Sequence, residues 1–552
     1  MAFADQPYMT EKAPSKFQIR LPLILAATLA AGMFIGQQLP HFDENIRFAP
    51  AGQSGRVAGT LDEILRYIEA RYVDTVNAEA VKTGAIDHLL EQLDPHSVYI
   101  TPDELKAVED EMSGGFEGIG IEFLMVDDTI QVVTPLSGGP SEAAGILAGD
   151  RIISINDTVV AGVKIDNGKI FKKLRGPKGS TVAIGILRGK EKSLRKFIIT
   201  RDVIPVKSVD IAYMLDRNTG YVKINRFSAR TYQEFMEAIR PLVEEKGMQN
   251  LVIDLRGNPG GYLEEATDLL SQFFPDGKLL VYTRGRAEGR NDYKSNGRAR
   301  FNIQNISVLI DEGSASASEI VAGAIQDWDR GWVIGRRSFG KGLVQEQYPL
   351  GDGGALRLTV ARYFTPSGRC IQRDYKHDAD YEHDADRRLK NGELSDASRI
   401  KLADSTRYYT GQGRVVYGGG GIIPDVFIPI DTSFSNDYYY GIRQHLPQFA
   451  TRWVESRQRS ELPADLAGFV HSFAVPDDVI AELADYAEKQ GVKRDEAGLK
   501  KCREELKLQL RARIAKILFG DEGLYTVLND DDPAVEKALQ VLRSGQPVAT
   551  RK

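Results

Sequence analysis

Hydrophobic and polar positions follow several different rhythms along this chain, and each change of rhythm marks a region. From Leu21 to Pro40 no charged residue occurs. A helix of about 20 apolar residues spans a bilayer core. Lys12, Lys16 and Arg20 precede the run, and Asp43 and Glu44 follow it. That bias predicts residues 1–20 in the cytoplasm, a membrane anchor over 21–40, and the rest of the chain outside. A cleaved signal peptide is the rival reading, but Ala49-Pro50-Ala51 comes late for a cleavage site. Residues 41–57 read as a linker, with Pro, Gly and Ser gathered between Phe48 and Gly59. Leu61, Ile64, Leu65 and Ile68 then recur at helical spacing. Val81 to Leu93 repeats the pattern until Leu93-Asp94-Pro95-His96-Ser97 breaks it, and Pro102 to Met112 predicts another short helix. Residues 58–112 are therefore a helical region.

From Gly114 the period shortens. Apolar segments near Phe123, Ile130–Val133, Ile152–Ile155 and Thr181–Ile186 are separated by turn residues, which predicts a β-rich module over 113–205. Two short helices fit at Pro140–Ala144 and Asn167–Leu174. From 206 to 435 strand and helix patterns alternate. Thr219–Ile224, Leu251–Leu255 and Ile306–Ile310 read as strands. Thr231–Lys246, Leu263–Phe274 and Ala317–Trp328 read as helices, giving an α/β core. Residues 373–416 interrupt it as a polar insertion. Residues 436–552 turn helical again, with Leu499, Cys502, Leu506, Leu510, Ile514 and Ile517 on one stripe. Their basic neighbours (Lys500, Lys501, Arg503, Lys507, Arg511, Arg513) read as a solvated face.

Composition narrows the function. Hydrophobic residues are 42% and charged residues 27% of 552, a globular balance over several domains. A net charge of −6 offers no basic footprint for a nucleic acid, so none is expected as a partner. Two cysteines, Cys370 and Cys502, exclude a disulfide framework and a cysteine-rich zinc site; a single bridge between them stays open. No histidine occurs from Ser97 through Lys376.

Candidate chemistry lies within that histidine-free stretch. Ser316 sits in Gly313-Ser-Ala-Ser-Ala-Ser-Glu-Ile320, and Lys341 follows twenty-five positions later in Ser338-Phe-Gly-Lys-Gly-Leu-Val-Gln345. A serine hydroxyl needs a base to become a nucleophile. Lysine can serve if an apolar pocket, here Phe339, Leu343 and Val344, lowers its proton affinity. In an extended 341–345 segment Lys341 and Gln345 share a face, so Gln345 could hold the amine without adding charge. At the start of a helix, the Ala317 N–H is an oxyanion donor, and Gly260 or Gly261 could supply the second. The bland alternative reads Ser316-x-x-Glu319 as a capping box. His377, Asp378, Asp380, His383, Asp384 and Asp386 could suggest a metal site, but a solvated polar loop is preferred, and neither metal nor cofactor is expected.

These residues resemble the C-terminal processing, or tail-specific, serine proteases. Gly313–Ile320, the spacing to Lys341, and Gln345 all match that family's motif. So do Leu251-Val-Ile-Asp-Leu-Arg-Gly-Asn-Pro-Gly-Gly261 and Gly421-Ile-Ile-Pro-Asp425. The resemblance covers roughly residues 60–430. It implies an α/β multidomain chain with a PDZ domain over 113–205 ahead of a crotonase-like α/β protease core. Gly118-Ile119-Gly120-Ile121 would be the loop whose amides grip a peptide carboxylate while the peptide adds as a strand. Arg175 matches an arginine that links the PDZ domain to the active catalytic site. The expected activity is a serine endopeptidase, anchored in a bacterial inner membrane with its catalytic domains in the periplasm. Its expected partners are C-terminal tails of proteins; a homo-oligomer and an adaptor protein stay open. A PDZ scaffold with a dead core and an acyl-CoA enzyme are the two rivals.

Overall fold

The computed structural model describes residues 54–544 apart from 127, 137–138, 148, 190, 192, 376–380, 382 and 403. The 21–40 segment lies outside the described residues, and no helix among those described is long and apolar enough to cross a membrane. The described residues fall into two units, divided between Ala85 and Ile86. In the first, the helix Ser54–Arg71 begins inside the stretch expected to be linker. Leu61 and Ile64 on it are exposed, so their periodicity marks a helix without marking a core.

In the second unit, alternation along buried strands decides the architecture. Leu251 and Ile253 face one side of a six-stranded sheet, and Val252 faces the other. The sheet runs in the order Val209–Met214, Thr219–Ile224, Asn250–Asp254, Asn305–Ile310, Trp332–Gly335, Val426–Phe427. The first pair is antiparallel and the rest are parallel. The helices Thr231–Glu244, Leu263–Leu270 and Ala317–Asp327 cover one face through Phe235, Ile239, Leu269 and Ile320. Buried on both faces, these strands read as apolar runs. The other face, carrying Tyr221, Val252, Leu309 and Ile334, is covered by Ala534, Val535, Ala538 and Leu542 of the helix Pro533–Ser544. The C-terminal extension is thus part of the core. A second sheet centres on Ala355–Phe364, which pairs with Val98–Ile100, Leu279–Gly285 and Leu343–Pro349.

The β-rich module matches its expected elements, with helices at Pro140–Ala143 and Asn167–Leu174. Its main sheet runs from Ile121–Val126 through Thr129–Pro135, Arg151–Ile155 and Thr181–Leu187 to Arg195–Thr200. Ile121–Val126 is therefore an edge strand, with one neighbour in the sheet.

The helix Glu496–Asp530 buries Leu499, Cys502, Leu506, Leu510 and Ile514 as the stripe predicts, whereas Ile517 is exposed. Its basic face is not simply solvated: Arg511 donates to the Val470 carbonyl (2.5 Å) and Lys507 pairs with Asp477 (2.7 Å). Gly520 breaks this helix at φ 70°, ψ −158°, a conformation essentially restricted to glycine. Before the break the helical bundle touches the β-module, through Lys516–Glu122 (3.4 Å) and Gln131 donating to Glu455 (2.7 Å). After it, Tyr525 donates to Asp210 (2.6 Å) and Arg256 to Asp532 (2.7 Å), both in the core. Cys370 and Cys502 are free thiols.

Candidate active site

Ser316 stands between the strand Asn305–Ile310 and the helix Ala317–Asp327, with φ 53° and ψ −115°. A non-glycine residue at positive φ costs of order 1–3 kcal/mol and persists only where its surroundings hold it. The Glu319 N–H donates to the Ser316 carbonyl at 2.8 Å. The Ser316 hydroxyl completes a loose capping box without a full hydrogen bond to the helix. Glu319 is the member of that box with further partners. It is fully buried, and its Oε2 accepts the N–H groups of both Ser316 and Lys341, each at 2.9 Å. The two backbone nitrogens are thus no farther apart than the sum of those bonds. Oε1 accepts the Gly340 N–H (2.7 Å) and the Ser338 hydroxyl (2.5 Å). Burial pushes the Glu319 pKa up to about 7, against the downward pull of these donors.

A second tie runs through Tyr363. Its hydroxyl lies 2.6 Å from the Lys341 carbonyl and 3.1 Å from the Ser316 carbonyl. The structure therefore brings Ser316 and Lys341 together by their backbones. Between their side chains no hydrogen bond forms among the described residues. Burial lowers the Lys341 pKa and Arg357 lowers it further, while Glu319 and Asp94 oppose. Among the described residues no carboxylate forms an ion pair with the amine. Phe339, part of the predicted pocket, is covered by Tyr381 edge-on (5.8 Å between centroids) and by the Arg373 guanidinium (4.0 Å).

The glycine turn approaches as expected, with its two candidates in different roles. A Cβ on Gly260 would lie 2.6 Å from Ser316 Cβ and 2.8 Å from Ala317 N, so the turn can close on the helix start only with glycine there. The Gly260 N–H, however, donates to Asn258 Oδ1 (2.8 Å) and is spent. Gly261, held by Phe227 through a parallel bridge, is left as the second candidate donor beside Ala317. Beneath the turn, Asp254 is buried. Burial raises its pKa, yet Arg256 and Lys223 hold it well below the usual carboxylate range. Gln345 donates to Thr359 Oγ1 (3.2 Å), and among the described residues no hydrogen bond joins its side chain to the Lys341 amine.

Two expectations change. The 373–416 insertion is exposed along much of its described length, as expected, but part of it is anchored in the core. Asp384 is buried between Arg373 (2.5 Å) and Arg388 (2.6 Å), and Arg388 donates to the carbonyls of Arg337 (3.0 Å) and Ser338 (2.8 Å), just ahead of Lys341. His377, Asp378 and Asp380 lie outside the described residues. The lysine's surroundings are also not histidine-free. His96 comes from far upstream, shares a hydrogen bond with Tyr381 (3.0 Å), and is held neutral by burial and by Lys341, which lower its pKa to about 4. Glu319 had a sequence signal, the box; Tyr363 had none.

In the β-module, Gly118–Ile121 forms the turn into the edge strand, with Gly120 at φ 72°. The Ile119 carbonyl accepts the Ser141 N–H (3.0 Å) and the Gly120 carbonyl the Leu136 N–H (3.0 Å). Phe171 of the helix Asn167–Leu174 meets Phe123 of that strand at 5.5 Å. Arg175 does not reach the Ser316–Lys341 loops. It lies over Phe116 (4.6 Å) and pairs with Asp110 at 3.6 Å.

Comparison with known proteins agrees with this layout. The model of peptidase family S41 matches residues 218–382, a PDZ-domain model matches 118–196, and a family of unknown function matches 442–520. The chain is 36% identical over 354 residues to the carboxy-terminal-processing protease of Bartonella bacilliformis, covering 62% of this chain and 79% of that one. It is also 36% identical to the carboxy-terminal processing protease CtpB of Bacillus subtilis, over 62% of this chain and 72% of that one. Among solved structures, a photosystem II D1 C-terminal processing protease aligns at 28% identity over 56% of this chain and 89% of that one, with a TM-score of 0.32. The PDZ domain of a carboxy-terminal protease from Vibrio cholerae, solved with a peptide, aligns at 31% identity over 16% of this chain and 97% of its own, with a TM-score of 0.15. The chain belongs to the carboxy-terminal processing proteases, serine-type peptidases of family S41 that carry a PDZ domain.

Proposed function

We propose that this protease cleaves proteins through a Ser316–Lys341 dyad in a crotonase-like core. The observation that carries the reading is the double tie of Ser316 and Lys341 by Glu319 and Tyr363, which sets a strained serine beside a lysine of lowered pKa. Neutral Lys341 takes the Ser316 hydroxyl proton as Oγ attacks the scissile carbonyl carbon. The Ala317 and Gly261 amides receive the oxyanion. Lysine then protonates the leaving amine, the C–N bond breaks, and an acyl-serine ester remains. Water, deprotonated by Lys341, hydrolyses that ester and restores the serine. The PDZ domain recruits substrate by its C-terminal tail, which adds to the edge strand Ile121–Val126 with its carboxylate at Gly118–Ile121.

Residues 21–40 would anchor the chain in a bacterial inner membrane, with the catalytic domains in the periplasm. Arg175 reports PDZ engagement to the core. Its pair with Asp110 supports one route, because Asp110 lies on the helix Pro102–Ser113, which follows the strand Val98–Ile100 paired to Ala355–Phe364. Arg175→Ala should lower turnover without unfolding the protein.

The test is incubation of wild type, Ser316→Ala and Lys341→Ala with a denatured protein, and mapping of the products by mass. Wild type should yield peptides, and both variants should fall by a factor of roughly 10³ or more. Full cleavage by Lys341→Ala would remove the dyad.

A further inference from the structure

The turn Asp94–Ser97, in sequence only a helix breaker, folds onto the lysine side of the site. Asp94 is 8% exposed and Ser97 3%. Asp94 Oδ1 accepts the N–H groups of His96 (2.9 Å) and Ser97 (3.1 Å), and Oδ2 accepts the Ser97 hydroxyl (2.6 Å). Those bonds suffice to build the turn. Oδ1 takes one more, from the Thr359 hydroxyl at 3.0 Å, on the central strand of the second sheet. The Thr359 N–H in turn donates to Ser97 Oγ at 3.2 Å. Thr359 Oγ1 also lies 3.2 Å from Gln345 Nε2.

The directions of these bonds are forced. The Thr359 hydroxyl gives its single proton to Asp94 Oδ1, which also accepts two backbone N–H groups. The Thr359 oxygen then has only lone pairs to offer Gln345, which must present its NH₂ end. That leaves Oε1 as the end of the carboxamide available to the lysine amine. Reversed, the carboxamide would set an N–H donor against an amine whose lone pair must stay free for the serine proton.

We propose that Asp94 is a positioning residue for peptide hydrolysis: through Thr359 it fixes which end of the Gln345 carboxamide meets the Lys341 amine. This rests on the proposed dyad, with Lys341 as the base and the free oxygen of Gln345 turned to its amine. Asp94 also acts on the lysine by charge, in company with Glu319, Arg357 and His96, the other ionisable groups facing it. Of these, Asp94 and Glu319 favour the protonated amine and Arg357 the neutral one.

The experiment uses the full chain with a denatured protein substrate, recording kcat, KM and the pH dependence of kcat/KM beside the melting temperature. Thr359→Val cannot relay the bond and should lower kcat roughly ten- to hundred-fold with KM little changed. Thr359→Ser keeps the hydroxyl and should restore most of the rate. Asp94→Asn removes a negative charge near Lys341, so its acid limb should move to lower pH. Thr359→Val keeps that charge, and its limb should stay in place. Wild-type kcat in Thr359→Val or equal impairment of the Val and Ser variants would overturn the proposal, and a limb that moves in Thr359→Val would assign its effect to charge and not to the relay. Should Thr359→Val fail to fold, Thr359→Ala takes its place with the same expectations. Lys341→Ala separates the two readings: if it is active the dyad is wrong, and if it is inactive while the relay variants behave as wild type only the relay is wrong.

Discussion

Glu319 shows how one buried side chain can hold two loops together. Its two oxygens collect four donors from two segments, Ser316 and the 338–341 loop. Glu319→Ala would strand those donors and should cost on the order of 3–5 kcal/mol in urea unfolding. Its pKa near 7 in the fold lies above the 4.5 of an unperturbed glutamate. A group whose folded pKa is raised contributes stability that is fully present below the unfolded value and is lost as pH rises through the folded one. Wild type should therefore gain stability relative to Glu319→Gln as pH falls from above 7 to below 4.5. Paired urea titrations at the two ends check the sign, and a gap that is constant with pH would contradict it. On the proposed dyad, activity should rise with pH as Lys341 loses its proton.

At the scale of elements, the motifs recognisable in sequence act as braces between loops. Ser338 links three of them: its hydroxyl donates to Glu319 and accepts the Ile422 N–H (2.6 Å). Asp425 of the same Gly-Ile-Ile-Pro-Asp stretch accepts Gln326 (3.0 Å) and the Val333 N–H (2.9 Å), tying the end of the Ser316 helix to the neighbouring strand. The 373–416 insertion adds Arg388, 1% exposed, whose pKa burial and Arg337 lower to about 10. Arg388→Ala would leave the Arg337 and Ser338 carbonyls without this donor while Asp384 keeps Arg373. It should cost about 1–3 kcal/mol and lower kcat by loosening the Lys341 loop. Peptide affinity of the PDZ domain should not change. Thermal melts and a peptide-binding titration separate these effects, and an unaltered melting temperature would show the insertion to be dispensable.

Over the whole molecule, the C-terminal extension completes the core. Its last helix covers the second face of the main sheet, and Ala538 there is fully buried. Ala538→Asp would place an unpaired charge on that face and should destabilise the core by several kcal/mol. An expanded species that binds a hydrophobic dye is the expected readout, and a native melt would refute it. The extension also meets the site from behind. Arg256, in the glycine turn, pairs with both Asp254 (2.6 Å) and Asp532 (2.7 Å). Asp532→Asn should lower stability by about 1–3 kcal/mol, read by urea unfolding, since Arg256 keeps its other partner.

Local pattern was enough for what depends on neighbours in the chain. The β-module's helices, the strands Thr219–Ile224 and Asn305–Ile310, the Ser316 helix and the buried stripe of Leu499–Ile514 follow from period two or period 3.6, because burial selects residues at those spacings. Ser316, Lys341 and the glycine turn were legible for a related reason: a strained turn, a helix start and a close backbone approach demand small residues at fixed positions. What depends on partners distant in the chain was not legible. Glu319 read as a cap and Asp94 as a helix breaker, Tyr363 carried no signal, and residues 436–552 read only as further helix. Each acquires its function only when the chain's return brings a second group within hydrogen-bonding or packing distance. Periodicity records that a face is covered, and only the tertiary structure decides by what.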